Sequence, residues 1–147
     1  LFEQVLKHYI QTRGGWLPTA LTTDNSLEDT ITHFFMRAAE IYTDDPERCG
    51  CLVMDATRNC GDEEAKALTA GLQQATKGLI CDRIKTGAPN LSETMANALS
   101  DYVLMILVGL SGSARDGVSP DALQLTAKTA AAGFVHQLHE YQYEHKT

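Results

Sequence analysis

A chain of 147 residues, 44% of them hydrophobic, is long enough to bury one core and too apolar to remain disordered. Its formal net charge of -7 excludes a general attraction for nucleic acid, so any DNA contact has to come from another part of the molecule. The longest apolar run, Tyr102 to Leu110, is about half the ~20 residues that a spanning helix needs, so no membrane association is expected.

The chain opens on Leu1 rather than Met, directly in an amphipathic pattern, which suggests a piece of a longer protein without a signal peptide. Over residues 1–13 the apolar positions Leu1, Val5, Leu6 and Tyr9 share a stripe, the mark of a helix. Gly14-Gly15, Pro18 and Asp24-Asn25 then read as a loop. Ser26 is placed to cap a second helix, with Glu28 and Asp29 in its first turn, where the helix dipole favours acids. Leu27, Ile31, Phe34, Phe35, Ala38 and Tyr42 form its apolar stripe, and Asp45-Pro46 ends it.

Residues 47–60 read as a shorter helix closed by Gly61. Asp62 can cap the next helix, which runs to about Thr86 with a seam of Ala65, Leu68, Leu72, Ala75 and Leu79, and Gly87 and Pro89 stop it. Asn90 and Glu93 have the spacing of a capping box for a helix over 91–116. Its segment 102–110 is apolar on every side, so it should be buried on every side, partly against another chain. After Asp116-Gly117, Ser119-Pro120-Asp121 supplies a cap, a first-turn proline and an acid. Leu123, Ala127, Ala130, Ala131, Phe134 and Leu138 form the buried face of the last helix, and residues 139–147 read as a polar, flexible tail. No strand, repeat or second domain is legible, so the fold class expected is all-α with about six helices.

Three of the four cysteines fall within "PERCGCLVMDATRNCG", residues 46–61. Cys49-Gly-Cys51 with Cys60 lacks the paired spacing and the histidines of a structural zinc site. On one helix, Cys49 and Cys60 would lie about 16 Å apart and Cys51 and Cys60 on opposite faces, beyond the reach of a disulfide, so that only a bridge to another segment, for example to Cys81, remains open. Four cysteines are also too few for a disulfide scaffold, which points to a reducing cytoplasm. A reactive thiol remains, with Cys51 on the face of Met54, Asp55 and Arg58, beside the simpler reading of Cys51 and Cys60 as small buried residues. His136 and His139, one turn apart, read as solvated side chains, and His33 as a pocket or surface residue. No nucleophile elbow, phosphate loop, dinucleotide fingerprint or zinc-protease motif is present, so neither an enzyme nor a cofactor or metal is expected.

The order of elements, with Gly50-Cys51-Leu52 opening a middle helix and Ala114-Arg115-Asp116-Gly117 closing the penultimate one, resembles the C-terminal regulatory domain of the TetR/AcrR family of bacterial transcriptional repressors. "LFEQVLKHY" is similar to the helix that follows the family's helix-turn-helix, and one branch often has an amide where Asp55 stands.

The resemblance implies a linking helix over 1–13, a regulatory and dimerisation domain over 26–138, and operator DNA bound only through an N-terminal region absent from these residues. It implies a homodimer through the last two helices, with Val108, Ser111, Gly112, Arg115, Ala127, Ala130, Gly133 and Phe134 at or near the interface. It also implies a small-molecule effector, apolar or aromatic, in a pocket walled by Trp16, Phe34, Phe35, Cys51, Met54, Asp55, Arg58, Leu72, Tyr102 and Met105. A sensor of oxidants or electrophiles through Cys51, with Cys60 as a second redox thiol, is the alternative within the family. A helical protein–protein interaction domain with no DNA role is the alternative outside it.

Overall fold

The computed structural model describes residues 4, 7, 8, 11, 14–51, 53–54 and 63–146. Most of the expected helix over 1–13 lies outside the described residues, as do Asp55, Arg58, Cys60, Gly61 and Asp62. Five helices stand among the described residues, with no strand: α1 (Trp16–Leu21), α2 (Leu27–Thr43), α3 (Glu63–Gly87), α4 (Glu93–Arg115) and α5 (Pro120–Lys146). The fold is all-α, and α2 packs against each of the other four.

Hydroxyl caps set three helix starts. The Asp29 N–H donates to Ser26 Oγ at 3.1 Å, the Met95 N–H to Ser92 Oγ at 3.1 Å, and the Ala122 N–H to Ser119 Oγ at 3.2 Å. Ser26 and Ser119 were legible caps. Ser92 replaces the expected box of Asn90 with Glu93: Asn90 lies in the turn after α3, and the Glu93 carboxylate instead meets Lys85 Nζ at 2.9 Å across the α3–α4 junction.

Three further expectations give way. The loop over 14–25 contains α1, because Pro18 sits in its first turn, where the missing N–H has no helical partner to lose, and Leu21 is buried in the core. The helix expected over 47–60 does not include 47–51. The Glu47 N–H bonds Asp45 Oδ1 at 3.0 Å, making a side-chain turn, and Gly50 takes a φ of 86°, open to glycine at little cost. The Gly50 N–H closes back on Tyr42 O at 2.8 Å, and among the described residues Val53 and Met54 are again helical. The tail expected from 139 continues as helix through Lys146.

The seam predicted for α3 holds in part: Ala65 is buried and Leu68 and Leu72 pack against the core, whereas Ala75 is exposed and Leu79 is 44% exposed. Thr69, Ile80 and Ile84 are also buried. At its end α3 approaches α2 closely: a Cβ on Gly87 would lie 2.8 Å from Leu27 Cβ. Arg83 Nη2 ties the same corner, donating to Asn25 O at 2.8 Å and to Thr30 Oγ1 at 3.2 Å.

α4 is long and apolar enough to cross a membrane by length and composition. In this fold Leu99, Val103, Leu107 and Leu110 of α4 are buried within the domain, as a core helix requires. α5 buries the expected Leu123, Ala127, Ala130, Ala131, Phe134 and Leu138. It crosses α4 where Tyr102 Oη donates to Ala130 O at 2.7 Å, and a Cβ on Gly133 would lie 2.9 Å from that hydroxyl.

Gly133 and Gly78 therefore answer alanine differently. Gly78, on α3, has nothing within 4 Å of an added Cβ, so Gly78→Ala should stabilise by about 0.5–1 kcal/mol through helix propensity. Gly133→Ala should gain less or lose stability, because Tyr102 must move off its hydrogen bond. Urea unfolding followed by circular dichroism measures both.

Candidate functional site

The expected pocket residues divide into four groups. Trp16, Cys51, Met54 and Leu72 come together around a cavity of about 170 Å³ beneath α1, closed further by Tyr42 and Leu79. Phe34 and Phe35 do not line it. They are fully buried behind Trp16, in a row of rings that runs from Trp16 to Phe34 (centroids 5.3 Å apart), to Phe35 (6.3 Å) and to Tyr102 (6.4 Å). Tyr102 thus ends the row on α4, and burial raises the pKa of its phenol above the ordinary value. Met105 is a correction: it is 70% exposed on the outside of α4, because it lies two residues from both Val103 and Leu107, on the side of the helix opposite that buried stripe. Asp55 and Arg58 lie outside the described residues.

The wall that carries Cys51 is fixed from two sides. The Cys51 N–H donates to Ser111 Oγ on α4 at 2.6 Å, and Gln73 Nε2 on α3 donates to Val53 O at 3.0 Å. An irregular segment still needs partners for its backbone groups, and here side chains of two helices supply some of them. Cys49, Cys51 and Cys81 are free thiols, each partly buried. Because Cys51 precedes the helix at 53–54, it does not share a helical face with Met54, contrary to the periodicity argument.

The residues expected at a subunit interface divide as well. Ser111, Ala127 and Phe134 are buried within this chain. Gly112 and Ala130 are also buried, Val108 is half-buried, and Arg115 and Gly133 are exposed. The large apolar side chains left open on the last two helices include Met105, Leu125, at 67% exposure, and Tyr143 near the end of α5. Leu125 was missed because it lies two residues after the buried Leu123, on the opposite side of α5. The signal for Met105 was the excess of apolar residues around α4.

A second depression, a groove of about 730 Å³, runs between α1, α2 and the start of α5. Trp16, Thr19, Thr30, His33, Met36 and Gln124 are among its walls, and Gln124 Nε2 donates to Met36 O at 3.1 Å. Of these, only Trp16 and His33 had been singled out in the sequence. Among the described residues, no group of three or more His, Cys, Asp or Glu side chains is placed to hold a metal ion.

No family model matches the chain. It is 28% identical over 133 residues to the HTH-type transcriptional repressor BdcR of Escherichia coli (strain K12), an alignment covering 90% of this chain. The chain spans 64% of that repressor's length. A solved structure of the TetR family transcriptional regulator CifR, a cysteine mutant complexed with 26bp double-strand operator DNA, superposes with a TM-score of 0.78 at 23% identity. That likeness covers 89% of this chain and 71% of the other, and it establishes the fold.

The bond between Cys51 and Ser111 is open to test. Ser111→Ala strands the Cys51 N–H, which should lower stability by about 1–3 kcal/mol. Urea denaturation compared with wild type measures it, and an unchanged midpoint would show that the segment is held without Ser111.

Proposed function

We propose that this chain is the effector-binding and dimerisation domain of a cytoplasmic TetR-family transcriptional repressor, which grips operator DNA through a helix-turn-helix N-terminal to these residues. The observation that carries the reading is the match to a transcriptional repressor along 90% of the chain, supported by a fold shared with a DNA-bound regulator. The acidic charge agrees with a domain that leaves DNA contact to another part.

The cavity under α1 is where an effector acts. A small apolar or aromatic molecule filling it presses on Trp16, Leu72 and the segment of Cys51 to Met54. That segment is bonded to Ser111 of α4, so occupancy favours one setting of α4 over another. α4 and α5 form the dimer surface, with Met105 and Leu125 among its exposed apolar residues. A change in their arrangement alters the spacing of the two DNA-reading heads and releases the operator. A second reading, capture of an oxidant or electrophile by Cys51, is favoured by the placement of that thiol in the cavity wall. Cys60, the other thiol considered for this role, lies outside the described residues.

Fluorescence anisotropy of the gene's full product on the DNA upstream of that gene separates these readings. Nanomolar binding that a small aromatic compound reverses, in Cys51→Ser as well as wild type, supports the pocket. Reversal by a mild oxidant that Cys51→Ser abolishes supports the thiol, and failure to bind any DNA removes the regulator reading. Leu125→Glu should convert the dimer to a monomer in sedimentation equilibrium while leaving helicity intact, because a charge there has no place in a dry interface.

A further inference from the structure

Two hollows flank one indole. The cavity of about 170 Å³ and the groove of about 730 Å³ share a single wall residue among the described residues, Trp16. The indole rests on Phe34 at a centroid distance of 5.3 Å, tilted by 38°, so it is a partition propped from one side. It stands on α1, a helix of six residues whose one buried side chain is Leu21, at the far end. The N-cap of α1 is Gly15, with no side-chain hydrogen bond.

Size then decides what the cavity can hold. An apolar cavity of about 150 Å³ accepts one benzene ring. With 170 Å³ there is room for a single substituted ring. The described wall residues, Leu17, Val53, Met54 and Leu72 among them, are mostly apolar and include no charged side chain, which suits an uncharged ring. Beyond Trp16 there is space of about four times that volume, as 730 Å³ against 170 Å³ shows. There Thr19, Thr30, His33 and Gln124 offer polar groups.

We infer that Trp16 is the residue that determines ligand size: with the indole in place the site takes an uncharged single-ring molecule, and without it the cavity and the groove become one site that takes a two-ring molecule. This rests on the reading of the cavity as the effector site. Selectivity therefore lies in one side chain on a short helix, while Phe34 and Phe35 behind it belong to the core.

The test is calorimetric titration of this chain with toluene and with naphthalene, for wild type, Trp16→Phe and Trp16→Ala. Wild type should bind toluene and bind naphthalene at least about tenfold more weakly, as forcing an extra ring into a packed space implies. Trp16→Ala should bring naphthalene to equal or tighter binding than toluene, with Trp16→Phe in between. Thermal melts by circular dichroism establish that each variant is folded, and the phenylalanine variant keeps the comparison open if the alanine variant is not. Naphthalene binding wild type as well as toluene overturns the inference. So does a toluene-to-naphthalene ratio that Trp16 substitutions leave unchanged, or a wild type that binds neither probe. None of these results bears on operator binding by the full product, so the regulator reading stands or falls separately.

Discussion

The stripe Leu27, Ile31, Phe34, Phe35, Ala38 and Tyr42 has to leave water, and α2 cannot hide it against one neighbour. Each large side chain in it is worth about 1.5–3 kcal/mol when buried. All six are buried, and the cover comes from four directions, as α1, α3, α4 and α5 all pack on α2. The other helices are placed by which part of the stripe they cover. α1 sets Trp16 on Phe34, α4 sets Tyr102 against Phe35, and α5 lies along the helix, fastened where Gln124 reaches Met36 O.

This demand leaves a gap under α1. The segment 44–51 turns back on Tyr42 through Gly50 instead of continuing as helix, and α3 crosses with Leu72 and Leu79 facing open space. A ligand that fills this space covers apolar surface of Trp16, Met54 and Leu72 and stabilises whichever arrangement of Cys51 and Ser111 accompanies filling. Binding and conformational bias are in this sense the same event.

What was legible in the sequence was local chemistry and period. Ser26 and Ser119 announced their helices because a hydroxyl cap and first-turn acids act within four residues. The stripes of α2 and α5 were readable because both helices bury one face against packed side chains. α1 was not readable: six residues with Pro18 inside them carry a loop signal, and only the burial of Leu21 in the assembled core makes a helix of them. The α3 seam was legible in part, since Ala65, Leu68 and Leu72 do meet the core, but a regular repeat could not say that Ala75 and Leu79 stay exposed. The resemblance brought Trp16, Cys51, Met54 and Leu72 to one site. It could not separate Phe34 and Phe35 behind that site from residues that line it, nor foresee that Met105 and Leu125 stay outside.

The central claim is that this packing leaves an apolar, ligand-accepting hollow under α1. Xenon tests it most directly, because the gas binds apolar cavities of this size without needing any specific polar contact. Crystals of the chain pressurised with xenon should show a peak of anomalous scattering between Trp16, Met54 and Leu72. Density there made up of ordered water, or of a rotated side chain with no xenon, would contradict the account.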